Sequence, residues 1–166
     1  MTSPRRQRKQ MARFFGAVVC AAVAAAVPAS LADASTTERV VVDRHTGLAI
    51  DGFDPVAYFV DGEPKLGLPQ YEYRFAGVIW RFRNEGNMAV FAENPEAYMP
   101  RYGGYDPVGV ARGVAAPGHP LIWVVSGQRL FLFFSGEARA RFAAEARQVI
   151  SLAESKWPVV RDQLAP

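Results

Sequence analysis

Cysteine is nearly absent from this chain: Cys20 is the only one among 166 residues. One thiol excludes an intramolecular disulfide framework and any zinc cluster built on several cysteines. Histidine is almost as scarce, with only His45 and His119. Neither Ser126 nor Ser135 sits in a Gly-x-Ser-x-Gly context, so no serine nucleophile is assigned. Gly103-Gly104 does not lead from a strand into a long helix with phosphate-cradle spacing, so a nucleotide-binding loop is not expected. Acid is also missing from the start of the chain, where none occurs before Asp33.

What fills that acid-free segment is cationic and then apolar. Arg5, Arg6, Arg8, Lys9 and Arg13 precede an uncharged Ala- and Val-rich run from Phe14 to Val27, followed by Pro28 and the small residues around Ala32. A basic start, a short apolar stretch and an A-x-A-like site read as a secretory signal peptide over residues 1–32, cleaved after Ala32. The alternative is an uncleaved anchor, but the stretch is barely long enough to span a bilayer and Pro28 interrupts it. Arg5-Arg6 admits the twin-arginine route, although Pro4 and Arg8 suit that motif poorly and the general secretory route is the first choice. Val19 before Cys20 is too large for lipoprotein processing, and Cys20 reads as a small apolar residue of the run.

Removal of the leader changes the charge. The whole chain is formally +3 with a pI near 9.2, whereas residues 33–166 carry 14 Lys and Arg against 16 Asp and Glu and no cysteine. The basic pI belongs to the leader, so nucleic acid is not an expected partner and a membrane is expected only during export. A periplasmic or secreted location follows.

Residues 33–46 read as an extended lead-in, 47–160 as one domain and 161–166 as a tail. Asp54-Pro55 opens a short helix through Val56–Phe59, and residues 63–69 form a loop. Tyr71–Phe75 and Val78–Phe82 alternate aromatic and charged residues about Ala76-Gly77. This predicts a hairpin pairing Phe75 with Val78, Tyr73 with Trp80 and Tyr71 with Phe82, with Glu72 opposite Arg81. Asn84 caps a helix bearing Met88, Phe91 and Ala92, Asn94-Pro95 caps another through Tyr98, and Asp106-Pro107 opens a third that ends at Gly113. A second hairpin joins Leu121–Val125 to Leu130–Phe134 through Ser126-Gly127. Ser135 caps a long helix, Gly136–Trp157, with Ala138, Phe142, Ala146, Val149, Ala153 and Trp157 along one side and Pro158 as its end. The fold class is α+β: two antiparallel hairpins, short intervening helices and a long C-terminal helix around one core. Gly52–Ala57 and Gly104–Gly109 look alike (GFDPVA, GYDPVG), but six residues do not establish a repeat.

Between Gly47 and Trp157 an ordered set of motifs resembles the YHS domain family in its longer exported bacterial form. The set is Gly52–Phe59, Trp80-Arg81-Phe82, Phe91–Tyr98, Tyr102-Gly103-Gly104-Tyr105 and Trp157-Pro158. Short members resemble metal-binding modules with three cysteines, whose matching positions here are Ala57, Arg83 and Asn87. Longer members keep a cysteine where this chain has Asp106. A soft-metal thiolate site is therefore absent.

What remains are oxygen and nitrogen donors. Asp54 and Asp106 occupy matched Asp-Pro turns and would serve as N-caps, or, if they share a cleft, as hard-cation ligands or an acid/base pair. His45 and His119 are loop histidines available to such a site. Tyr58, Tyr98, Tyr102 and Tyr105 line a pocket or pack the core. The reading is an exported non-catalytic YHS-type domain, not an enzyme, that binds an envelope protein and needs no cofactor. The alternative is a metal-binding or metal-trafficking domain that holds a divalent ion with Asp106, Asp54 and His119.

Overall fold

A computed structural model describes residues 39–164. The signal-peptide reading of residues 1–32, its cleavage site at Ala32 and the first part of the lead-in lie outside the described residues. Two antiparallel hairpins organise the rest. The first joins β1 (Leu68–Phe75) to β2 (Val78–Phe82), and the second joins β3 (His119–Ser126) to β4 (Arg129–Phe133). Four short helices accompany them: α1 (Ala57–Val60), α2 (Glu85–Glu93), α3 (Pro95–Tyr98) and α4 (Pro107–Ala111). The long α5 (Gly136–Asp162) closes the chain. The architecture is α+β. No helix among the described residues is long and apolar enough to cross a membrane.

The first hairpin keeps the expected register at its tip. Phe75 faces Val78, Tyr73 faces Trp80 and Glu72 faces Arg81, with Arg81 Nε donating to Glu72 Oε1 at 2.7 Å. Ala76 and Gly77 both take positive φ (52° and 82°), the primed turn whose twist matches the strands. Further out the expectation fails: Phe82 pairs with Leu68 and not Tyr71, because a bulge interrupts β1 between Leu68 and Glu72. The second hairpin turns one residue later than expected, at Gly127-Gln128, so that Ser126 pairs with Arg129. Helix ends also differ. The Asn94 side chain makes no cap hydrogen bond, and α5 runs through Pro158 to Asp162 with its one non-helical residue at Glu145.

The likeness of the two Gly-aromatic-Asp-Pro hexapeptides extends far beyond six residues. Each half begins with a tight turn of left-handed residues, Ile50-Asp51-Gly52 and Tyr102-Gly103-Gly104. Asp54 N then donates to Lys65 O and Asp106 N to Ala116 O, both at 2.8 Å. Gly67 N donates to Gly52 O and Gly118 N to Gly104 O, both at 2.9 Å. At these two glycines a Cβ would lie within 2.6 Å of Arg81 or Leu132 on the partner strand, so the close approach requires glycine in both halves. The second hairpin carries a bulge at the matching place, between His119 and Trp123. Asn84 and Ser135 each cap the following helix, accepting from Asn87 N and Ala138 N at 2.8 and 3.2 Å. The path of the chain is therefore repeated, although the side chains have diverged.

The core has two lobes that share one strand. Phe91 of α2 is fully buried, and its ring meets Trp80 and Phe82 at centroid separations of 5.2 and 5.0 Å. Leu130 and Leu132 of β4 pack into that first lobe. Phe131 and Phe133 point the other way, into a lobe with Tyr105, Phe142, Val149 and Ala153. Val40 and Val42 are buried as well. The described part of the expected lead-in thus belongs to the core, with Val41 N bonded to Gly103 O and Val41 O to Ile50 N.

Candidate functional site

Asp54 is fully buried, which is costly for a carboxylate unless donors surround it. Four do. Oδ1 accepts from Val56 N at 2.8 Å and Ala57 N at 3.4 Å. Oδ2 accepts from Arg83 N at 2.7 Å and from Asn87 Nδ2 at 2.6 Å. The carboxylate ties the Asp-Pro turn to the junction of β2 and α2. Ala57, Arg83 and Asn87, the positions at which the sequence resemblance would place cysteines, all gather around Asp54. They offer it amide donors and no soft ligand.

Asp106 stands in the same place in the second half. It is 2 % exposed and caps α4, with Oδ1 accepting from Val108 N at 2.9 Å. Burial pushes its carboxyl above the ordinary carboxylate range, and the backbone amides of Val108, Phe134 and Gly109 oppose that rise. Phe134 follows β4 as Arg83 follows β2, so the two aspartates answer one design. Both are N-cap or turn anchors turned inward.

His119 lies elsewhere, on the rim of a surface depression of about 360 Å³ with His45, Asp43 and Asp51. His119 Nδ1 accepts from Leu121 N at 3.1 Å, which leaves Nε2 to solvent. Asp43 is held by its own turn, accepting from His45 N, Thr46 N and Thr46 Oγ1. The Thr46 hydroxyl bond is the main reason its carboxyl lies below the ordinary range. Asp51 is raised by desolvation and then by the Asp43 charge, while His119 lowers it. The structure therefore brings the two histidines to one depression, but it does not bring Asp54, Asp106 and His119 together. No three His, Cys, Asp or Glu side chains form a metal-ligand set among the described residues.

Asp43 and Asp51 carried no signal in the sequence as site residues, because only the left-handed turn at Ile50 (φ 43°) and Asp51 (φ 55°) aims Asp51 at the depression. The tyrosines divide. Tyr58 and Tyr105 are buried, and Tyr58 Oη donates to Pro120 O at 3.0 Å, bridging the two halves. Desolvation raises the Tyr58 phenol far above its usual range, so it stays a neutral donor. Tyr98 packs edge-on against Phe59 at 5.4 Å. Tyr102 is buried as well and lines a pocket. Comparison with known proteins gives no match to any family model, curated protein or solved structure.

Proposed function

We propose that the protein is an exported, non-catalytic domain of the YHS type that works by binding in the cell envelope. One observation carries this reading: the two buried carboxylates best placed for chemistry have their oxygens taken by backbone amides and an Asn side chain. A general base needs a free lone pair within reach of a substrate proton, and Asp54 has none to offer. The gathering of Ala57, Arg83 and Asn87 around Asp54 supports the family resemblance and removes the thiolate chemistry that it would otherwise imply. The signal-peptide pattern supports a periplasmic or secreted location, and with it an envelope protein as partner.

The test is a broad hydrolase and oxidoreductase screen of the purified protein, in which no saturable turnover is expected. Turnover lost in Asp106→Asn would overturn the reading. Elemental analysis of the same preparation addresses the metal-trafficking alternative. Stoichiometric divalent metal, reduced by Asp106→Ala or by His119→Ala, would favour that alternative.

A further inference from the structure

We propose that a second pocket, whose lining includes neither aspartate anchor, binds a small organic anion with an aromatic or apolar body. It has a volume of about 440 Å³ and lies between the Arg101–Gly104 turn, the start of β4 and the end of α5. Four arginines line it: Arg39, Arg101, Arg129 and Arg161. They come from four separate segments, so the tertiary fold alone assembles them. Bringing like charges together is unfavourable unless something answers them.

The protein answers them only in part. Glu154 pairs with Arg101, Asp162 pairs with Arg161 at 3.3 Å and Glu96 lines the pocket itself. Four cations against three acids leave one positive charge, and the exposed Arg161 pair is weak and screened by salt. Arg129 Nη1 reaches only the Glu96 carbonyl, at 3.4 Å. Each guanidinium carries five donors in a planar fork, so most remain available to a carboxylate or phosphate.

Between the charged side chains the lining is aromatic and apolar. Tyr102 and Trp157 meet edge-on at 5.6 Å, and Met99 and Pro100 flank them. The Arg101 guanidinium lies 5.5 Å from the centre of the Tyr102 ring, which holds both groups in place. The Tyr102 phenol, raised to about 12 mainly by burial, stays protonated and so adds no negative charge at neutral pH. Aromatic and apolar side chains beside guanidinium groups suit a ligand with one anionic end and one flat or apolar end. This deepens the binding-domain reading and rests on it.

Isothermal titration of the purified protein with naphthalene-2-carboxylate and phenyl phosphate tests the proposal, with 2-naphthylmethanol and inorganic phosphate as controls. At least one aromatic anion is expected to bind one per chain, about tenfold or more tighter than either control, and to weaken as salt is raised. Arg39→Gln/Arg161→Gln, at exposed positions, is expected to weaken binding by about tenfold or more with an unchanged melting temperature. Arg129→Gln provides a second variant with the same expected direction. Absence of binding, equal binding of the neutral alcohol, unaltered affinity in both variants, or binding only to phosphatidylglycerol vesicles would overturn it. Turnover of a bound anion would instead sink the non-catalytic reading and leave the pocket assignment standing.

Discussion

A carboxylate with no exposure survives in a folded protein only if its charge is met by donors, and Asp54 has four of them. Asp54→Ala leaves the amides of Val56 and Arg83 and the Asn87 side chain without partners. Urea denaturation should show a loss of about 3 kcal/mol or more, well above an ordinary surface cap. Asp106 makes a pH prediction. Its folded carboxyl titrates above the unfolded value near 3.8 because burial disfavours the charge. The native state then holds that proton more tightly than the unfolded chain does. Its contribution is fully present below the unfolded value and is lost as pH rises through the folded one. Relative to Asp106→Asn, the wild type should therefore lose melting temperature as pH is raised across the acid range. A parallel pair of curves would refute the assignment. The Asp-Pro turns were legible as local cap chemistry. Their burial was not, because Arg83 and Asn87 lie 29 and 33 positions away from Asp54.

At the scale of elements, alternation of aromatic and charged residues was enough to set the tip of the first hairpin, since a one-residue slip would bury Glu72 and Arg81. It could not reveal the bulge, which arises where Gly67 must approach the backbone of β2. The end of α5 departs from the local sequence signal for a related reason. Pro158 removes one amide, but Trp157 and Val160 on either side pack inward and carry the helix past it. Tertiary packing outweighs a local helix breaker here. Since the Glu154 carbonyl lacks the amide that Pro158 would have supplied, Pro158→Ala should restore one helical bond. A gain of about 1–3 kcal/mol in chemical denaturation is expected. A loss would mean that the proline ring itself contributes packing.

For the whole molecule, the decisive feature is that β4 serves both lobes of the core. Leu130 and Leu132 complete the lobe around Phe91, while Phe131 and Phe133 complete the lobe around Phe142. The halves repeat one chain path and share β4, so they are expected to unfold together. A fragment of residues 39–98 lacks β4 and should show the collapsed amide dispersion of an unfolded chain by NMR, and the intact protein should melt in one transition by circular dichroism and fluorescence alike. A folded fragment would show that the first lobe closes without its neighbour. By itself the sequence determined the α+β class, both hairpins, the caps at Asn84, Asp106 and Ser135, and the inward side of α5, because each depends on residues within a few positions of one another. Only the tertiary structure decided that the hexapeptide likeness marks a repeated path, that Asp54, Asp106 and His119 stand apart, and that four distant arginines share a pocket. Those outcomes depend on contacts between segments far apart in the chain, which neither periodicity nor local turn chemistry encodes.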